Sequence, residues 1–251
     1  MPEWLEAGLW GSVAGGALVV GAAVAWSVKV PARWIAMIMA FGAGVLISAL
    51  SFELMDEAER AGGLLPAAAG FLAGACAYVA ANALLARYGA RHRKRSGDQQ
   101  PSEADVQGSG AAIAIGALLD GIPESVVLGL SLVGGGKIGL AVLAAVFISN
   151  VPEGLSSAAG MKRAGRGPGY VFGIWGGIAL ASGLAALLGN LTMQSASPAF
   201  TAVIMGVAAG AILAMVADTM IPEAFDRAHT LTGLITTIGF LAAFAIERLA
   251  E

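Results

Sequence analysis

The sequence predicts an all-α integral membrane protein of eight transmembrane helices, and three observations predict it. Hydrophobic residues fill 57% of the 251 positions and charged residues only 12%, about half the ~25% typical of soluble domains. The apolar residues run continuously, where β-barrel strands would alternate. The runs recur eight times, each near the ~20 residues that cross a bilayer. A mean hydropathy of +0.79 is too high for a soluble core of this size and excludes a disordered chain.

The spans run roughly 7–28, 34–55, 63–87, 111–133, 138–160, 169–190, 199–222 and 231–249. The first follows an acidic start, Met1 to Gly8, unlike a cleaved signal peptide, so it is expected to be retained. The long connection, residues 88–110, opens with Arg91, His92, Arg93, Lys94 and Arg95 and continues rich in Ser, Gly and Gln. It reads as a flexible cytoplasmic loop within a single transporter domain, 1–251. Gly134 to Gly136 reads as a tight turn between the fourth and fifth spans. His92 reads as a solvated loop residue and His229 as an interfacial one. With eight spans, eleven of the 14 Lys and Arg fall on one side, and Arg60, Lys137 and Arg248 on the other. The excess marks the cytoplasmic side, so both termini are expected outside the cytoplasm.

Net charge −3 gives no nucleic-acid signal, and a single cysteine, Cys76, excludes a disulfide framework. A weak repeat links Phe41 to Leu46, followed by Asp56 to Ala58, with Val207 to Ile212, followed by Pro222 to Ala224, at an offset of 166 residues. Spans 1–3 and 6–8 would then be inverted halves around spans 4 and 5, a 3+2+3 arrangement. Inverted repeats mark transporters whose site lies near the bilayer midplane.

The chemistry lies in two matched motifs. The fourth span carries Asp120-Gly121-Ile122-Pro123-Glu124 and the fifth Ser149-Asn150-Val151-Pro152-Glu153. Each begins about ten residues into its span, or ~15 Å, half the ~30 Å hydrocarbon core. Positions 120 and 124 share a helical face, as do 149 and 153. If the faces meet, Asp120, Glu124, Ser149 and Glu153 converge with Asn150 beside them. Pro123 and Pro152 would free the carbonyls of Leu119 and Ile148, adding backbone oxygens. A midplane carboxylate costs about 2.5–3.5 kcal/mol, and three together repel. No Lys or Arg lies at this depth in any span, so the missing counter-charge is expected to be a cation in transit, with protons the other candidate. Glu53 and Asp218, the deepest of the remaining acids, and Glu223 mark a candidate pathway, whereas Asp56, Glu57, Glu59 and Asp226 read as solvated helix ends.

Eight spans, a long loop after the third, and paired Pro-Glu motifs on the fourth and fifth resemble the ZIP family of divalent-metal transporters over nearly the whole chain. The sharpest part is Asn150 to Gly154, similar to the family's His-Asn-x-Pro-Glu-Gly; Ile221-Pro222-Glu223-Ala224 on the seventh span also resembles the family. The resemblance implies transport of zinc, iron, manganese or a related ion into the cytoplasm, through a site on the fourth and fifth helices. The metal site diverges: Asp120 and Gly121 replace a usual His-Asn, Ser149 replaces a usual His, Ala186 and Leu187 stand where Glu-Pro is frequent, and Thr219 stands for an acid. A single site of Asp120, Glu124 and Glu153, completed by Ser149 and Asn150, is therefore expected. Such an oxygen shell suits Mn, Mg or Ca better than zinc, which still accepts carboxylates.

The expected function is thus divalent-cation transport in a cell membrane of prokaryotic type, with no resident cofactor and the metal ion and the lipid bilayer as partners. The alternatives are a proton-coupled carrier of a small organic or amine substrate, and a transport-dead metal-binding homologue. An enzyme is not expected, since no nucleophile sits beside a base. Glycine-rich helices pack closely either within one chain or between two, so a homodimer stays open.

Overall fold

The computed structural model describes residues 1–94, 100–102, 104–133 and 140–250. The Gly134 to Gly136 turn, Lys137 and Arg95 lie outside the described residues. The described chain holds eight helices long and apolar enough to cross a membrane: α1 (Glu3–Ser27), α2 (Ala32–Gly62), α3 (Leu64–Ala86), α4 (Ser109–Leu130), α5 (Leu140–Arg163), α6 (Pro168–Met193), α7 (Pro198–Ala228) and α8 (Leu231–Ala250). They fall where the apolar runs place them, except that α2 and α7 each continue several residues further.

The reason for the extra length is the same in both. Each of these 31-residue helices contains one wide π turn, Leu50–Leu54 in α2 and Val216–Met220 in α7. The start, π turn and end of α7 each lie 166 residues beyond those of α2, the offset of the sequence repeat. In each helix a hydroxyl caps a carbonyl beside the wide turn: Ser51 Oγ donates to Ile47 O and Thr219 Oγ1 to Met215 O, both at 2.7 Å. π turns recur at functional sites, and each of these carries an acid, Glu53 and Asp218.

The packing repeats as well. Contact between α3 and α7 mirrors that between α8 and α2, and contact between α1 and α5 mirrors that between α6 and α4, while α1 packs on α6 itself. Glycine sets these close approaches. A β-carbon on Gly70 or Gly74 would overlap the carbonyl of Val203 or Val207, and one on Gly206 or Gly210 that of Ala67 or Phe71. Gly44 and Gly239 play the same part between α2 and α8, against Thr236 and Phe41. These glycines therefore pack helices within the chain. The most enclosed helix is α5, the carrier of Glu153, and the least is α8.

Between α1 and α5, Gly154 lies on the Leu18 carbonyl and Gly21 on that of Val151. Asn150 Nδ2 ties the same pair by donating to Ala14 O at 3.0 Å. Gly154→Val is accordingly expected to lower stability by about 1–3 kcal/mol through overpacking, read as unfolding in mild detergent. Gly173→Ala, where nothing lies within 4 Å, should be neutral or stabilise by about 0.5–1 kcal/mol. Equal effects at the two positions would contradict this packing.

Candidate functional site

Both prolines lie inside unbroken helices, Pro123 in α4 and Pro152 in α5. All five residues singled out on these helices are buried: Asp120, Glu124, Ser149, Asn150 and Glu153. They do not, however, turn toward one point. Asp120 and Glu153 come together. Ser149 Oγ bonds back to Val146 O of its own helix at 2.9 Å, and the Asn150 amide serves the α1 contact. Glu124 faces a small apolar cavity lined by Leu46, Leu50, Val127, Val146 and Ile212, and neither carboxyl oxygen has a hydrogen-bond partner among the described residues. Among those residues no group of three or more His, Cys, Asp or Glu is close enough to hold a metal ion.

The charge balance needs correction. The counter-charge assigned above to a passing cation is present in the chain. Arg93 and Lys94, from the loop expected to be flexible and solvated, are 2% and 3% exposed. The Arg93 guanidinium grips Asp120 with a fork, Nε to Oδ2 and Nη2 to Oδ1, both at 2.8 Å. Tyr78 Oη donates to Asp120 Oδ1 at 2.7 Å. Arg93 Nη1 donates to Asn82 Oδ1 at 2.7 Å. Lys94 Nζ sits 2.9 Å from Glu153 Oε2 and 3.4 Å from Asp120 Oδ2. Depth counting along the spans misses these cations because they do not belong to a span. They follow the short turn Ala90–His92 that comes after α3.

The insertion is built in detail. A β-carbon at Gly116, one turn before Asp120, would lie 2.5 Å from Arg93 Cδ, so glycine leaves the notch in which the guanidinium stem lies. Gln100 Nε2 donates to the Arg93 carbonyl at 2.8 Å and to the Ser157 carbonyl at 3.1 Å. Ser156 Oγ donates to the Lys94 carbonyl. The loop backbone is thereby clamped to α5 one turn beyond Glu153. Burial opposes the Arg93 charge, but Asp120 opposite it prevails and raises the pKa of the guanidinium above its ordinary value.

The pathway candidates separate. Glu223 is buried, with Oε1 3.1 Å from Ser156 Oγ, and so adjoins the Lys94 clamp. Glu53 is half-buried, and its Oε2 has no hydrogen-bond partner among the described residues. Asp218 is exposed. Asp56 pairs with Arg60 at 2.6 Å on a partly exposed helix end. Sequence reasoning missed Tyr78, Asn82, Arg93, Lys94, Gln100 and Ser156. A signal for two of them exists: Tyr78 and Asn82 stand one helical turn apart on an otherwise apolar helix.

No known family profile matches the sequence. Over 216 residues the chain is 29% identical to an Arabidopsis thaliana protein named "Putative zinc transporter At3g08650". The aligned region covers 83% of this chain and 33% of that protein, so the chain spans about a third of the relative's length.

Proposed function

We propose that the chain carries a divalent metal cation across a membrane, in the manner of the ZIP transporters, inward to the cytoplasm through the centre of α4 and α5. One observation carries the reading: two matched Pro-Glu motifs place Asp120 of α4 and Glu153 of α5 on either side of a single positive charge, the Lys94 ammonium. The seat between the helices is therefore one for a cation. The similarity to a plant protein named as a zinc transporter supports a metal as that cation. The mirrored packing supports alternating access about inverted halves, α1–α3 and α6–α8, and the Lys and Arg excess supports both termini outside and the 88–110 loop inside.

In this reading Glu153 and Glu124 are the first ligands the metal meets. Both Asp120 oxygens are held by Arg93, so Asp120 shapes the seat and joins the shell only if that fork opens. Ser149 and Asn150 join by releasing Val146 and Ala14. An all-oxygen shell accepts Mn or Mg as readily as Zn. Glu223, beside the clamp, lies on the exit route.

Proteoliposome uptake from a panel of Zn, Mn, Fe(II), Cd, Co and Mg tests this, with Glu153→Ala as control. At least one ion is expected to enter, and entry is expected to vanish in the variant. Uptake of none by folded protein, or equal uptake by both proteins, overturns the proposal.

A second reading is favoured by the chemistry of that same seat. An ammonium already fills it, so a carrier of small organic amines would use the same carboxylates. Metals binding the seat raise the melting temperature of the detergent-solubilised protein and amines leave it unchanged; the amine carrier predicts the reverse.

A further inference from the structure

We propose that Lys94 is a tethered counter-cation: its ammonium fills the seat between α4 and α5 when no metal is present, and an incoming divalent ion must displace it. The inference rests on the transport reading and adds to it the residue that neutralises the empty carrier.

The two loop cations are held very differently. Arg93 is fixed by the Asp120 fork, Tyr78, Asn82 and the Gly116 notch. Its carboxylate partner is already balanced. Among the described residues the Lys94 ammonium is held by two carboxylate contacts, at 2.9 and 3.4 Å. A lysine ammonium is a compact charge on a flexible stem, able to leave without breaking a fork. The backbone beneath it stays anchored by Gln100 and Ser156, so the ammonium that leaves remains close enough to return. Arg93 is the anchor and Lys94 the moving part.

Charge forces the exchange. Among the described residues, the positive charge nearest to Glu153 is the Lys94 ammonium, 2.9 Å away. A divalent ion on Glu153 and Glu124 with Lys94 still in place would set like charges a few ångströms apart in a medium of low dielectric constant, where repulsion is strong. Metal binding and departure of Lys94 are thus linked, and each opposes the other by the same factor. The apparent metal affinity is the intrinsic one reduced by the fraction of sites from which Lys94 has moved. The device also discriminates by charge. A monovalent ion brings no more charge than Lys94 already supplies, whereas a divalent ion brings twice as much.

Amine labelling of the purified full chain, followed by mass spectrometry, tests this without flux. The chain has four lysines: Lys29, Lys94, Lys137 and Lys162. In EDTA, Lys94 is expected to be protected while the exposed Lys29 and Lys162 react. Saturating Mn or Zn should raise Lys94 labelling about tenfold and leave those two unchanged. In equilibrium dialysis, Lys94→Gln should bind the same ion about tenfold more tightly. Metal bound with Lys94 still protected overturns the inference and leaves the transport reading standing, as does a Lys94→Gln affinity equal to or weaker than wild type. No binding of any panel ion to either protein overturns both.

Discussion

Replacing Asp120 with Ala is expected to cost about 3–5 kcal/mol of stability, the usual effect of removing one member of a buried ion pair. The cost arises from what remains. Arg93 would stay 2% exposed with its fork empty, and a guanidinium cannot discard its proton to escape the penalty. Tyr78 Oη would lose its acceptor at 2.7 Å. Lys94 would keep Glu153, the nearer of its two carboxylates. The loss should therefore trace chiefly to Arg93. A double-mutant cycle checks this: Arg93→Met with Asp120→Leu should recover most of the stability that Asp120→Ala loses, because an apolar pair of similar volume replaces a buried ion pair at little cost. Unfolding in mild detergent reads each variant. A loss below about 1 kcal/mol in Asp120→Ala would place Asp120 outside the structural network and return it to the metal's ligands.

The eight helices were legible because hydropathy along a span is a one-dimensional property. The repeat was legible for a related reason: Phe41 to Leu46 and Val207 to Ile212 line the same stretch of equivalent helices, and their offset of 166 residues reappears in the two π turns. Residue rise and motif spacing set Asp120, Glu124 and Glu153 well inside their spans, and all three are buried. What spacing along a helix cannot give is the azimuth at which a neighbour approaches, or whether a loop re-enters. On paper Ser149 shares the motif face with Glu153, and Asn150 lies beside it. Yet one satisfies its own helix and the other reaches α1, because a buried hydroxyl or amide takes the nearest carbonyl. Arg93 and Lys94 sit in a basic run whose neighbours fit the positive-inside pattern, and that pattern concealed a different use for two of its members. The clue lay elsewhere: three intramembrane acids without a basic partner in any span, and a Tyr78–Asn82 stripe facing the loop.

Glu124→Gln should give the sharpest separation of folding from function. Both Glu124 oxygens are buried, with no hydrogen-bond partner among the described residues, beside an apolar cavity. A buried carboxyl without a hydrogen-bond partner costs stability when neutral and far more when ionised. The amide keeps the shape and removes the charge, so the variant should unfold within about 1 kcal/mol of wild type or later. Metal-dependent flux should fall by about 100-fold or more, because a neutral amide cannot replace a carboxylate as the second anion beside Glu153. With Asp120 committed to Arg93, Glu124 is the anion left to join Glu153, and its carboxyl, with no hydrogen-bond partner among the described residues, has none to break in turning to the metal. The contrast with Asp120→Ala is the decisive comparison: one acid destabilises the protein when lost, the other abolishes uptake in a protein that folds normally. Flux in Glu124→Gln equal to wild type would leave Glu153 with Lys94 as the only charged pair acting in the seat, and would favour the amine carrier over the metal transporter.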